Sequence, residues 1–224
     1  KVQLWDESTK EFRAVFRARS EVKGIVWRRD IIAVVCEYFL YVYNLMDDFQ
    51  ILQHLTTNAN PRGLCALASA SEPWILCCPG QSMGAVRVQV GQDESLTHVF
   101  EAHQSMVAAL ALNASGSLIA TGSEKGTVVK IFQRSDGQLL YRLRRTACAR
   151  PASISCLTFR HDDRFLALSS SSSTVHIFKL DPATATRSSG EMSPSANASP
   201  ALGPAQDPHD LPSRGDSFTE QHRG

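Results

Sequence analysis

The strongest constraint on the fold is a strand-like pattern that recurs about every 43 residues. Five segments carry it: VQLWD (2–6), LYVYNL (40–45), AVRVQV (85–90), TVVKIF (127–132) and TVHIF (174–178). The intervals between their central positions are 38, 46, 43 and 46 residues, taking Leu4, Val42, Val88, Ile131 and Ile177. A four-stranded propeller blade repeats at about 40 to 45 residues, so this period predicts a WD40-like β-propeller.

Two further strand candidates precede each of the last four segments. The nearer ones are IIAVVCE (31–37), PWILCCPG (73–80), SLIATGSE (117–124) and FLALSSSS (165–172). The earlier ones are GIVWRRD (24–30), GLCALA (63–68), VAALALN (107–113) and ISCLTFRHD (154–162). Turn-forming residues lie at 113–116, 135–137 and 161–163, and helical periodicity is nowhere sustained over 11 residues. We therefore predict an all-β chain of about five blades or part-blades, each with three clear strands and a weaker fourth.

The composition changes after Asp181. Residues 182–224 are rich in Ser, Ala, Gly and Asp and contain six prolines, Pro182, Pro194, Pro200, Pro204, Pro208 and Pro212. Such a segment cannot bury enough apolar surface to offset its chain entropy. We predict blades over 1–181 and a disordered segment over 182–224. Because the chain opens directly on a strand ending, we expect further blades to lie in a longer native protein.

Charge and motifs exclude several function classes. Lys and Arg total 23 against 22 Asp and Glu, so there is no overall basic field to attract nucleic acid. There is no nucleophile elbow, phosphate-cradling glycine loop or metal-ligand spacing, so we expect neither an enzyme nor a cofactor. The six cysteines form no Cys-x-x-Cys pair, which favours a reduced, cytoplasmic protein. The apolar runs are far shorter than the roughly 20 residues of a spanning helix, so membrane contact would be peripheral.

Several segments, in this order and spacing, resemble one known family. They are VQLWD, LYVYNL, residues 60–65 (NPRGLC), Pro79–Gly80, residues 102–105 (AHQS), ATGSEKGTVVKIF (120–132), Leu143–Arg145 and FLALSSSSSTVHIF (165–178). They resemble the PROPPINs, seven-bladed β-propellers that bind polyphosphoinositides in autophagy and in endosomal or vacuolar traffic. The resemblance covers residues 1 to about 180 and places 182–224 in the loop after the third strand of the sixth blade.

In that family, two adjacent arginines serve two lipid headgroup sites, and here they are Arg144 and Arg145. Neighbouring side chains of a strand leave on opposite faces, so one dipeptide can reach two pockets. A guanidinium fork suits a phosphate because it meets two oxygens at once. The resemblance implies a first site of His103, Ser105, Ser123, Lys125, Thr127 and Arg144, and a second of Arg145, Ser169, Ser170, Thr174 and His176. Doubly protonated histidines would strengthen binding at mildly acidic pH.

This sequence departs from the family pattern in two places, both at the second site. Thr146 replaces the glycine that follows the arginines, and Ser171–Ser173 replace an Asp-Lys-Gly run. The five serines at 169–173 are candidates for phosphorylation, although low-complexity sequence in a loop is the simpler interpretation. His103 and His176 are open to a second interpretation as structural residues that brace the blades.

Two functions remain open at this point. The first is a phosphoinositide-binding peripheral membrane adaptor for phosphatidylinositol 3-phosphate or the 3,5-bisphosphate. It would work with autophagy proteins on preautophagosomal, endosomal or vacuolar membranes. The second is a lipid-independent WD-repeat scaffold that binds only proteins.

Overall fold

The computed structural model describes residues 1–145, 152–172, 174–181 and residue 185 of the 224-residue chain. Within these ranges the chain forms strands and turns and no helix. The first ten strands are β1 (Val2–Asp6), β2 (Glu11–Phe16), β3 (Val22–Trp27), β4 (Ile31–Cys36), β5 (Phe39–Asn44), β6 (Ile51–Thr56), β7 (Ala66–Leu67), β8 (Ile75–Pro79), β9 (Ala85–Val90) and β10 (Asp93–Glu101). The others are β11 (Val107–Leu112), β12 (Leu118–Ser123), β13 (Val128–Gln133), β14 (Leu139–Arg144), β15 (Ile154–Phe159), β16 (Phe165–Ser170) and β17 (Val175–Lys179).

Strands that follow each other in sequence pair antiparallel in five sheets. The sheets are β1–β2, β3–β6, β7–β10, β11–β14 and β15–β17. The first strands of successive sheets contact one another, β3 with β7, β7 with β11, and β11 with β15. Meandering sheets that meet along their first strands are the blades of a β-propeller. The predicted all-β propeller fold is confirmed, and the recurring pattern of the sequence corresponds to β1, β5, β9, β13 and β17.

A separate hydrophobic core fills the space between each pair of neighbouring sheets. On β5, Tyr41 and Tyr43 pack toward the β1–β2 sheet, while Leu40 and Val42 pack toward the β7–β10 sheet. Because both faces of an inner blade are covered, β4 is buried at all six positions. This double burial explains why the strands appear in the sequence as nearly continuous apolar runs.

Hydrogen bonds between turns join neighbouring sheets at one end of the blades. We call this the lower end and define it by residues 28–30, 113–117 and 160–164. Arg28 Nη1 donates to the carbonyls of Ala68 (3.2 Å) and Ser71 (2.7 Å). Asn113 Nδ2 donates to Asp163 Oδ2 at 2.8 Å. These contacts fix the angle between consecutive blades.

Arg62, on the connection from β6 to β7, links sheets that are not consecutive. Its Nη1 donates to the carbonyls of Ala108 on β11 (2.9 Å) and Ile154 on β15 (3.0 Å), and its Nη2 donates to Ser153 Oγ. One side chain therefore ties the connection before β7 to the inner strands of the next two sheets.

Some predictions fall on residues that the structure does not describe. They include Thr146, Ser173 and, apart from Ala185, the predicted disordered segment 182–224. The boundary after Asp181 therefore stays a prediction. In the part of the chain that is described, no helix has the length and apolar content to cross a bilayer.

Candidate functional site

The two sets of predicted site residues lie at the end of the blades opposite the lower end. We call it the upper end and define it by the turns at 123–127 and 169–174. The strand registers bring the sets there: Ser123 pairs with Val107, and Arg144 pairs with Val128. In the next sheet Ser170 pairs with Ile154, the first residue of β15. The sites therefore lie on the adjacent sheets β11–β14 and β15–β17.

The two arginines occupy opposite faces of β14. Tyr141 and Leu143 are buried in the core shared with the β15–β17 sheet, and Arg145 continues that face. Its Nη1 donates to Ser172 Oγ in the β15–β17 sheet at 3.1 Å. Arg144 continues the face of Arg142, whose register partner Lys130 donates from Nζ to the carbonyl of Ala102 near the preceding sheet. The two side chains thus point toward the gaps on either side of the β11–β14 sheet.

On its own side, Arg145 meets a cluster of hydroxyl groups. Ser172 Oγ lies 2.8 Å from Ser170 Oγ and 3.3 Å from Thr174 Oγ1. Arg145 is 7% exposed, so the guanidinium is reached through these hydroxyls rather than directly from solvent. The cluster includes Ser172, which the family pattern did not predict.

His176 and Ser169 are the other two members of the second set. Burial and the charge of Arg145 lower the pKa of His176, which places its ring near the guanidinium. Ser169 pairs with Val175 and lies on the face of β16 opposite Ser170. The structure therefore brings Arg145, Ser170, Thr174 and His176 together and leaves Ser169 apart from them.

A tight turn holds the first set. Gly126 N donates to Ser123 O at 2.9 Å, and Glu124 N donates to Met106 O at 3.0 Å. Gly126 has φ +62°, and a Cβ there would lie 1.6 Å from the carbonyl oxygen of Ala152. Only glycine fits this position, because it needs a left-handed backbone against another backbone segment.

The remaining members of the first set lie around this turn. Lys125 is exposed, Ser123 is 7% exposed, and Ser105 is half-buried on the connection before β11. The carbonyl oxygen of Thr127 accepts a hydrogen bond from Arg145 N at 3.4 Å, so the backbone of Thr127 holds that of Arg145. The register therefore places Ser123 on the face of Arg144 and Thr127 on the face of Arg145.

His103 is part of a hydrogen-bonded brace between blades. Its Nε2 lies 2.9 Å from Thr121 Oγ1, and the charge of Lys130 is nearby. Burial and that charge lower the pKa of His103 to about 4. The ring of the ligand-free chain is therefore neutral at mildly acidic pH, contrary to the expected second proton. The family pattern missed Thr121 and Lys130, although strand alternation puts them on the same face as Ser123 and Arg144.

No group of three or more His, Cys, Asp or Glu side chains among the described residues could hold a metal ion. Cys77 and Cys78 are buried, and burial raises the pKa of both thiols, that of Cys78 to about 12. They are protonated packing residues.

The fold and the site together define a class: a WD-type β-propeller with adjacent arginines and hydroxyl-rich turns at one end of two blades. A profile of the PROPPIN family matches residues 10–201. The chain belongs to the PROPPIN family.

Curated relatives agree with this membership. The chain is 38% identical over 169 residues to human WD repeat domain phosphoinositide-interacting protein 1, covering 75% of this chain and 38% of that protein. It is 33% identical over 224 residues to autophagy-related protein 18 of Mycosarcoma maydis, covering 91% and 49%. The chain thus spans about half or less of the length of these relatives.

Solved structures share the fold. Hsv2 of Kluyveromyces lactis superposes with a TM-score of 0.69 at 22% identity, covering 83% of this chain and 58% of that one. KlAtg21, solved in complex with the coiled-coil of AgAtg16, gives 0.69 at 24% identity, covering 82% and 60%.

Proposed function

We propose that the chain acts as a phosphoinositide-binding peripheral membrane adaptor in autophagy or in endosomal or vacuolar traffic, and not as an enzyme. Its ligand would be phosphatidylinositol 3-phosphate, the 3,5-bisphosphate, or both. The curated relatives support the class, since one is named for interaction with phosphoinositides and another for autophagy. Its partners would be phosphoinositide-containing membranes and autophagy proteins.

The observation that carries the proposal is that Arg144 and Arg145 point to opposite faces at one strand end, with the hydroxyls of Ser170, Ser172 and Thr174 clustered beside Arg145. A phosphomonoester carries about −1.5 to −2 charges near pH 7 and offers several acceptor oxygens. Guanidinium and hydroxyl groups supply matching donors. Two modest sites on one rigid edge can engage the same bilayer, which raises overall affinity by about 10²- to 10⁴-fold over either site alone.

A lipid-independent protein scaffold is the second candidate function. It is favoured by the contact between Arg145 and Ser172, which engages this guanidinium within the chain. The orientation of His103 toward Thr121 also favours it, because that imidazole is already committed to the brace.

Vesicle sedimentation distinguishes the two functions. The full chain is mixed with vesicles that contain phosphatidylinositol 3-phosphate or phosphatidylinositol alone. We expect sedimentation that requires the 3-phosphate and is lost in the double variant Arg144→Thr, Arg145→Thr.

The matched control is Arg29→Thr, Arg164→Thr, which removes the same charge from exposed positions near the lower end. It should sediment like the unmodified chain. Equal loss in both double variants would indicate a non-specific charge effect, and no sedimentation of a folded chain would favour the scaffold.

A further inference from the structure

The turn between β16 and β17 contains a serine, Ser172, whose hydroxyl accepts a hydrogen bond from the guanidinium of Arg145. Ser172 Oγ is 3.1 Å from Arg145 Nη1 and within hydrogen-bond distance of the hydroxyls of Ser170 and Thr174. A group attached to this oxygen would therefore lie against the guanidinium and two further donors.

His176 adds an unused polar atom to the same place. Its Nε2 is buried and makes no hydrogen bond with the described residues. The imidazole lies on the face of β17 that pairs with Leu168, which is the face of Ser170. A new acceptor at Ser172 would give this nitrogen a partner.

The turn is also open to solvent beside Ser172. Ser171 and Thr174 are exposed, and Ser172 is half-buried. The turn is fastened through Ser171, whose backbone N donates to Ser153 O at 2.8 Å and whose Oγ accepts from Ser153 N at 3.1 Å. Access of a kinase to Ser172 Oγ breaks its hydrogen bonds to Arg145, Ser170 and Thr174.

We propose that Ser172 is a phosphorylation site and that its phosphoryl group binds Arg145 within the chain, closing the second headgroup pocket and leaving the first open. The inference rests on the proposed function, because it regulates the same pocket. A protein kinase would transfer the γ-phosphoryl group of ATP to Ser172 Oγ. The bond from γ-phosphorus to the bridging oxygen breaks as the new P–O bond forms, ADP leaves, and the hydroxyl proton passes to solvent.

The physical basis is competition between a tethered and a free ligand of the same chemistry. Phosphoserine presents the same dianionic phosphate as the 3-phosphate of the lipid, with three acceptor oxygens for the guanidinium. A covalent tether gives it an effective concentration on the order of millimolar or higher, irrespective of the lipid in the membrane. The switch would therefore convert a two-site chain into a one-site chain.

The test isolates each pocket. Phosphoserine is incorporated at position 172 of the full chain in two backgrounds, Arg144→Ala to leave the second pocket and Arg145→Ala to leave the first. Binding of soluble inositol 1,3-bisphosphate is measured by calorimetry. We expect at least a tenfold loss of affinity in the Arg144→Ala background and less than twofold change in the Arg145→Ala background.

Phosphoserine at Ser135 is the matched control, because this exposed residue adds the same charge to the turn after β13, toward the lower end. It should change affinity in neither background. Equal loss in both backgrounds, or no loss in either, would overturn the proposal. Retained binding in the Arg145→Ala background also shows that the phosphorylated chain is folded.

A second measurement needs no ligand and so separates failure of this inference from failure of the proposed function. The phosphorus-31 resonance of phosphoserine 172 is followed against pH, with and without Arg145→Ala. We expect Arg145 to lower the pKa of the phosphate, so that the variant titrates at higher pH. Identical titrations would contradict the intramolecular contact even if the chain binds phosphoinositides. Distinct titrations in a chain that does not bind the headgroup would leave the contact standing and refute only the lipid function.

Discussion

Two residues of the first site contribute more to the shape of the blade than to its charge. Gly126 closes the turn at 123–127, and His103 fastens the connection before β11 to Thr121. Neither residue carries positive charge in the ligand-free chain; Gly126 sets the backbone of the turn that carries Lys125, and His103 is held against β12.

Replacing Gly126 by alanine should destabilise the chain by about 2–4 kcal/mol, because left-handed strain adds to the collision with the carbonyl of Ala152. Gly137→Ala is the matched control. Gly137 has φ +68°, but its Cβ would meet the Phe100 side chain at 3.2 Å rather than backbone. Urea unfolding of both variants measures the difference. A loss at position 126 no larger than at 137 would show that the turn relaxes away from Ala152.

The brace at His103 should make stability depend on pH. Its folded-state pKa of about 4 lies below the usual 6.5. Between these pH values the imidazole is protonated in the unfolded chain and neutral in the folded chain. The free energy of unfolding should therefore be highest above pH 6.5 and should fall by about 3 kcal/mol as the pH falls toward 4. Chemical denaturation at several pH values should show a smaller loss in His103→Gln than in the unmodified chain. His161→Gln, at an exposed turn residue, should keep the full loss, and equal slopes in all three proteins would contradict the assignment.

At the scale of the single element, the end of β14 directs two charges to opposite faces of its sheet. Its alternation sends Arg145 into the gap with the following sheet and Arg144 toward the preceding one. Since the two proposed headgroup sites lie on opposite faces of the sheet, we expect them to bind ligand independently in solution.

Calorimetry with soluble inositol 1,3-bisphosphate should therefore give a stoichiometry of two for the full chain. Each of Arg144→Ala and Arg145→Ala should reduce it to one, and the double variant should abolish binding. On vesicles either single variant should lose most of the avidity, since both sites must engage one bilayer. A single variant that removes both solution sites would show that the pockets are one.

The strands with both faces buried were predictable from the sequence, and the outer ones were not. The segment predicted at 31–37 covers β4, whose six residues are all apolar and all buried. The fourth strands were expected only as weak elements, and β2, with three exposed residues at its start, shows the reason. The site depended on the resemblance for its residues. The sequence did not predict that Thr121 contacts His103 or that Ser172 contacts Arg145. These contacts depend on how neighbouring blades are placed, which the pattern within one strand does not indicate.

At the scale of the molecule, the sheets are coupled mainly to their nearest neighbours. The lower-end contacts join neighbouring sheets, and the cores lie between consecutive sheets. Arg62 differs because its guanidinium reaches both β11 and β15.

Arg62→Ala should lower the free energy of unfolding by about 1–3 kcal/mol, the usual contribution of hydrogen bonds to a charged donor. It should also accelerate hydrogen exchange at the start of β15, since this change removes the donor to Ile154 O. Arg29→Ala, at an exposed arginine that makes none of the contacts described above, is the control and should change neither quantity. Exchange at β15 that stays slow in Arg62→Ala would mean that the blades hold together without this bridge.

The reach of Arg62 sets an order of events during synthesis on the ribosome. Its carbonyl acceptor at Ile154 lies 92 residues further along the chain, which corresponds to about 5–20 seconds of translation at roughly 5–20 residues per second. During that interval the blades before β15 can form their own ladders, and Arg62 can already donate to Ala108 O on β11. The bonds to Ile154 O and Ser153 Oγ form last, so a nascent chain released before β15 is made would carry three complete blades without the bridge to the fourth.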